Sequence, residues 1–227
     1  EFQYKFFPSV LGIANHGPVF KSDIYLDTQG RLTDRDLQIQ YQISWLNKSV
    51  FQGDIKSTFL EMPFTYDPTH TGGIPFDKGE QFSWMEGGLS YSSDTRKPFH
   101  YLLETRMGGY YNGQKKTLIN ELFYRIQPYG SLAMVSSYNQ VSLPEPYTSA
   151  NFLLIGPRLD ITFTKTLFFT GLVQYNTQID NLNFNLRLQW RFAPVSDLYI
   201  VYTENSHPLD YRVKNRGLVV KLSYWIN

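Results

Sequence analysis

The chain has 227 residues, with 21 Lys and Arg against 20 Asp and Glu, for a formal net charge of +1 at pH 7. That balance leaves no electrostatic footprint for nucleic acid, and the lack of cysteine removes both a disulfide framework and a thiolate metal site. No run of about 18 apolar residues occurs, so no stretch reads as a membrane-spanning helix, a test that does not bear on a β-barrel.

The opening residues Glu1-Phe2-Gln3-Tyr4-Lys5-Phe6 already alternate, with no initiator Met and no signal peptide. The expectation is a single barrel domain over 1–227 that forms the C-terminal part of a longer protein. Thirteen strand-like runs follow at hairpin spacing: 1–8, 18–27, 32–46, 49–61, 81–93, 98–111, 115–127, 131–142, 151–164, 167–178, 182–193, 197–205 and 216–226. Helical periodicity is found nowhere. Residues 9–17 read as a turn, with room for a short helix.

Three runs alternate cleanly. Leu37, Ile39, Tyr41, Ile43 and Trp45 interleave with Gln38, Gln40, Gln42 and Ser44. Leu182, Phe184, Leu186, Leu188, Trp190 and Phe192 interleave with Asn183, Asn185, Arg187, Gln189 and Arg191. Leu218, Val220, Leu222, Tyr224 and Ile226 oppose Val219, Lys221, Ser223, Trp225 and Asn227. A strand turns successive side chains to opposite faces, so each run has one apolar and one more polar face. A length near 11 residues suits a tilted transmembrane strand of about 9–11, although an antiparallel sandwich strand shows the same alternation.

The connections decide between the two. Tight turns (Asn47-Lys48, 93–97, 128–130, 164–166, 193–196) alternate with mostly longer or more polar segments (28–31, 61–80, 112–114, 143–149, 178–181, 205–215). That parity is the habit of an outer-membrane barrel with short periplasmic turns and longer external loops. Placing the last run's end in the periplasm leaves an odd strand count, so a complete barrel would have 14 or more. The predicted fold is therefore all-β, an antiparallel transmembrane barrel in a bacterial outer membrane. A composition with 17 Tyr and 17 Phe suits aromatic girdles. Trp45, Trp190 and Trp225 are predicted at the periplasmic girdle, Trp225 on the lumen parity.

In that fold Leu37, Ile39, Tyr41, Ile43, Leu182, Phe184, Leu186, Leu188, Leu218, Val220 and Leu222 face lipid. His100, Glu104, Arg106, Glu121, Arg125, Arg158, Asp160, Arg187, Arg191 and Lys221 line the lumen, with Glu204 beside them, because a charge turned to lipid costs about 2–4 kcal/mol at the midplane. Both signs interleave, as in a network that braces the interior, with pairs expected between Glu104 or Arg106 and Glu121 or Arg125. A selective solute path is the alternative. Asp34-Arg35-Asp36 reads as a solvated strand end. Gly87-Gly88 and Gly108-Gly109, inside strands, mark bends, bulges or close packing.

Two loops draw attention. In 61–80, Tyr66, His70 and Phe76 suit contact with a sugar or a partner surface, or simply a fold over the barrel mouth. In 204–212, Glu204, His207 and Asp210 raise an acid–base or metal reading, but the spacing is not that of a metal site and a polar rim loop is the plainer account. No nucleotide-binding glycine loop or Gly-x-Ser-x-Gly elbow is present, and no catalytic residue, metal or cofactor is expected.

The block Ile155-Gly156-Pro157-Arg158-Leu159, the run Leu186–Tyr202 with its Arg-Phe-Ala-Pro-Val-Ser-Asp-Leu-Tyr turn, and Asn215–Ile226 resemble the C-terminal barrel of a Bacteroidetes-type outer-membrane family of unknown function. Its members carry an N-terminal module similar to family 9 carbohydrate-binding modules. The chain departs from the usual barrel ending in Phe or Trp, since Asn227 is last. The resemblance implies a non-enzymatic barrel that anchors a glycan-binding or assembly module, with the lipid bilayer, envelope proteins and glycan as partners. The competing expectation is a passive channel or transporter for oligosaccharides or other small solutes.

Overall fold

A computed structural model describes residues 1–8 and 12–225. Thirteen strands follow the chain: β1 Phe2–Gln3, β2 Ile13–Leu26, β3 Leu32–Trp45, β4 Val50–Glu61, β5 Gln81–Ser92, β6 Phe99–Tyr110, β7 Gly113–Ile126, β8 Gly130–Ser142, β9 Ala150–Thr162, β10 Leu167–Asn176, β11 Asn181–Ala193, β12 Ser196–Ser206 and β13 Val213–Ser223. They form one antiparallel sheet in chain order. The sheet is open, and no helix occurs among the described residues.

Three runs differ by more than two residues from their expected bounds, among them 216–226, which becomes β13 at Val213–Ser223. The run 1–8 shrinks to β1 plus an isolated Phe6–His16 bridge, while β2 starts at Ile13, well before the expected residue 18. Pro18 supplies the reason. Tyr4 N–H donates to Pro18 O at 3.1 Å, but proline has no N–H to return, so the ladder is broken there and resumes only at the Phe6–His16 pair. Gly17 sits so close to this segment that an added Cβ would lie 2.0 Å from Tyr4 O. Within the expected turn, residues 13–17 belong to β2, and Ser9, Val10 and Leu11 lie outside the described residues, as do Ile226 and Asn227.

Side-chain chemistry sets the hairpins. Asn47 Oδ1 accepts from the Ser49 amide and hydroxyl, with Lys48 at φ 69°. Asp27 accepts from the amides of Gln29 and Arg31, with Gly30 at φ 79°. The Arg31 amide and guanidinium hold the Asp27 carboxyl below its usual range. Pro194-Val195 is a two-residue turn with Val195 at φ 57°, a conformation that favours Gly or Asn.

The chain divides into two compact units, Glu1–Thr95 with Tyr101–Ile119 and Tyr138–Asn151, and Arg96–His100 with Asn120–Ser137 and Phe152–Asn227. In the first, Ile39 lies opposite Ile55, Ile55 opposite Gly87, and Gly87 opposite Met107, so β3 to β6 share an apolar face. The other parity carries Gln40 opposite Asp54, Asp54 opposite Gly88 and Gly88 opposite Arg106. In the second unit, Leu188, Ile200 and Val220 align on one face, and Gln189, Tyr199 and Lys221 on the other.

Burial runs against the rule for a water-soluble sheet. Ile39, Ile55 and Met85 are 66%, 58% and 61% exposed, whereas the side chains of Asp54 and Glu86 are only 10% and 16% exposed. The buried hydrophobic side chains among the described residues are Val19, Met62, Phe76, Val141 and Leu143. Burying each exposed Leu, Ile or Met would gain about 1.5–3 kcal/mol, and this fold leaves that gain uncollected across its apolar face.

Candidate functional site on the polar face

The polar face of the first unit is built in cross-strand rows. One row is Lys21, Gln38, Lys56 and Glu86, and its neighbour is Asp23, Asp36, Thr58 and Trp84. Lys56 Nζ lies 2.8 Å from Asp36 Oδ2, and Thr58 Oγ1 donates to Asp36 Oδ1 at 2.6 Å. The Arg106 guanidinium grips Asp54 through both amino groups at 3.0 Å and reaches Glu86 at 3.3 Å. To meet Asp54 it crosses the intervening strand at Gly88, where a Cβ would lie 2.7 Å from Asp54 Oδ1 and 2.8 Å from Arg106 Nη2. Gly88 therefore serves close packing. The rows and Arg106 enclose a pocket of about 280 Å³ lined by Lys21, Asp23, Asp36, Gln38, Lys56, Glu86 and Arg106.

Beyond the pocket lies an aromatic group. Trp84 packs on Tyr110 and Tyr111 at 6.3 and 5.3 Å, and Lys115 Nζ sits 4.8 Å above the Tyr110 ring. The connection 62–80 folds onto this group. Phe76, fully buried, lies 4.7, 5.0 and 4.5 Å from the rings of Phe82, Tyr111 and Tyr147. Tyr66 pairs with Phe76 through both backbone hydrogen bonds, and its hydroxyl lies 3.2 Å from His70 Nε2. Asp67 closes the loop tip. Burial pushes its carboxyl up, but the Thr69 hydroxyl and the amides of Thr69, Gly72 and Thr71 outweigh this and hold it below its usual range.

The ten residues expected in the lumen share the polar parity of their strands. Glu104 and Arg106 belong to the first unit. The expected pairing of Glu104 or Arg106 with Glu121 or Arg125 is replaced, for Arg106, by Asp54 and Glu86. In the second unit His100 stacks on Phe123 at 4.9 Å, Glu121 shares that parity, and Arg125 donates to the Lys97 carbonyl at 3.0 Å. Arg158 is paired with Asp160, which also accepts from Thr170, and Arg191 lies 3.4 Å from Asp197. Arg187 donates to Gln189 and sits over the Tyr199 ring, and Lys221 lies opposite Tyr199.

Two expectations need correction. Glu204 lies opposite Phe184 and so sits on the apolar parity near its strand end, accepting from the Tyr202 hydroxyl. Asp34-Arg35-Asp36 lies inside β3, with Asp36 tied into the charged rows.

The apolar parity of the first unit carries Leu37, Ile39, Tyr41 and Ile43, with Trp45 packing on Tyr91 and Tyr91 on Tyr101 beside the tight turns. In the second unit Leu182, Phe184, Leu186, Leu188, Leu218, Val220 and Leu222 share it, and Trp190, Phe192 and Tyr224 pack in series by the Pro194-Val195 turn. Trp225 follows β13, and its amide donates to Ser196 Oγ. At the other end of these strands, His207 Nδ1 lies 3.6 Å from Asp180 Oδ2. The Arg212 amide holds the Asp210 carboxyl below its usual range. Among the described residues no three His, Asp or Glu side chains are grouped to hold a metal.

Sequence reasoning passed over Asp54, Lys56, Glu86, Trp84, Tyr110 and Lys115. The signal for Trp84 was a reversal at 81–85, where Phe82 and Trp84 take the parity that Glu86 and Ser90 hold further along. No protein family, curated protein or solved structure matches the chain.

Proposed function

We propose that the chain is wall of an antiparallel outer-membrane β-barrel of 14 or more strands, with its apolar face against lipid and its polar face toward the interior. The inversion of burial carries this reading: Ile39, Ile55 and Met85 stand open while Asp54 and Glu86 are shielded. In a bilayer the exposed apolar face has its natural solvent, and closure satisfies the backbone groups of the sheet edges. The aromatic groups around Trp45 and Trp190, each next to tight turns, suit a membrane interface. β13, exposed on both faces, suits a strand whose outer edge is paired in the closed barrel.

Within that wall the protein acts without catalysis, as a membrane anchor and assembly platform for a glycan-binding module or envelope partner. Interleaved ion pairs of both signs support a braced interior, and the loop 62–80 folded on the polar face supports an obstructed one. Planar-bilayer recording tests the anchor reading: small or absent steady conductance is expected, and a large constitutive pore would contradict it. A second reading, passage of oligosaccharides or other small neutral solutes, is favoured by the open pocket on the polar face. It predicts steady conductance that falls when a saccharide is added.

A further inference from the structure

We propose that the polar face of the first unit contains a binding station for a neutral saccharide, formed by the pocket between Lys21 and Arg106 and the indole of Trp84. The proposal rests on reading that face as the solvent-filled interior.

Charge selects the class of ligand. The lining holds three acids, Asp23, Asp36 and Glu86, and three bases, Lys21, Lys56 and Arg106, with Gln38 between them. Lys56 is already matched to Asp36, and Arg106 to Glu86 and Asp54. A phosphate or a metal cation would need more than the two charges, Lys21 and Asp23, that stand outside these pairs, and so would have to draw on Lys56, Arg106 or their acidic partners. A neutral polyol does not. Its hydroxyls donate to the spare lone pairs of Asp36 and Glu86 and accept from the spare N–H groups of Lys56 and Arg106, so each pair stays closed and gains charge-assisted bonds.

Shape and neighbours narrow the class further. At about 280 Å³ the pocket falls just under the roughly 300–1,000 Å³ of drug-sized sites, room for one ring-sized unit. Trp84 stands in the row Asp23, Asp36, Thr58, Trp84 on the same face, two residues along β5 from Glu86 of the lining. A pyranose has one face of C–H groups and a rim of hydroxyls. An aromatic plane beside a rim of planar carboxylate, amide and guanidinium groups matches both. Lys115 and Tyr110 extend the same surface past Trp84, which gives a second unit of an oligosaccharide a place to lie. A mixed-charge network that served only as a brace would need neither the void nor the indole beside it.

Saturation-transfer NMR on the full chain in detergent micelles reads binding this weak. The probes are maltotriose, cellotriose and laminaritriose, with sodium phosphate as the charged comparison. At least one trisaccharide is expected to bind saturably at about millimolar concentration, with transfer to its ring C–H protons, and phosphate is expected to compete no better than matched chloride. Trp84→Leu should weaken binding by about tenfold or more, while Trp84→Phe, which keeps a ring, should stay within about threefold. Circular dichroism on the same samples checks that the sheet is intact. A folded protein that binds none of the three, a Trp84→Leu variant that binds like the parent, or phosphate that displaces the sugar would each overturn the proposal. Solubility without detergent would contradict the membrane reading instead, and the same titration in plain buffer would then decide the saccharide station by itself.

Discussion

Phe76 is the side chain on which the loop 62–80 turns, and replacing it by alanine isolates its role. The ring is fully buried against Phe82, Tyr111 and Tyr147 at 4.5–5.0 Å. A Phe→Ala change in such a setting costs about 3–5 kcal/mol, of which aromatic geometry supplies about 0.5–1.5 kcal/mol per pair. The loop's other ties include the Tyr66–Phe76 backbone pair, the Asp67 turn, and buried Met62 with its backbone bonds to Gly79 and Glu80 at the loop base, so the loss falls on local opening of the tip more than on the sheet. At 1.36 kcal/mol per tenfold, the open population should rise by roughly two to three and a half orders of magnitude. Trypsin cleavage after Lys78, inside the loop, reads that population when opening and closing outpace cleavage. Phe64, exposed and edge-on to Tyr66 at 6.1 Å, serves as control, and Phe64→Ala should change the rate by less than about tenfold. A Phe76→Ala protein cut at Lys78 no more than about threefold faster than the parent would refute the reasoning.

Gly88→Ala should lower stability by about 1–2 kcal/mol, because its Cβ meets the side-chain ends Asp54 Oδ1 and Arg106 Nη2 below 3.0 Å and makes the pair shift; the unfolding midpoint in denaturant checks it. Val195→Asn should raise stability by about 0.5–1 kcal/mol, since Val195 is 68% exposed and held at φ 57°, where a β-branched residue is strained and asparagine is tolerated. Asp67 has a lowered folded-state pKa, so its contribution is present above the unfolded value near 3.9 and is lost as pH falls through the folded value. Hydrogen exchange at the Thr69 and Gly72 amides should therefore stay protected at pH 5 and weaken on acidification below about pH 4, and Asp67→Asn should remove that pH dependence.

The strands were legible because their apolar and polar residues keep a period of two over long stretches, as in Leu182–Phe192, which alternates along the full length of β11. Gly17-Pro18 misled because both residues are common at turns. Here Pro18 sits inside β2 where the ladder toward the first strand is broken, so β2 continues while its partner keeps only the isolated Phe6–His16 bridge. The charged site was half legible. Parity put Arg106 on the polar face, but its partner Asp54 is 52 residues away and two strands over, reached across Gly88. Nothing local in sequence encodes such a contact. Trp84 was obscured because β5 opens with its apolar residues on the parity that later carries Glu86, so the rule that keeps apolar residues on one face fails at the start of the strand. Phe76 lies in a loop with no period at all, and only tertiary packing reveals its box.

The central claim is that the apolar face meets lipid, and the absence of native cysteine makes it directly measurable. Single cysteines placed at Ile39, Ile55, Met85 and Met107, and at Gln38, Gln40 and Lys56 for the other face, can each carry a nitroxide in protein reconstituted into vesicles. Collisions with oxygen, which concentrates in the bilayer, and with a water-soluble nickel chelate distinguish the two solvents. The account predicts oxygen-dominated relaxation at the first four positions and weak oxygen contact at the other three. Nickel-dominated relaxation at Ile39, Ile55, Met85 and Met107 would contradict it.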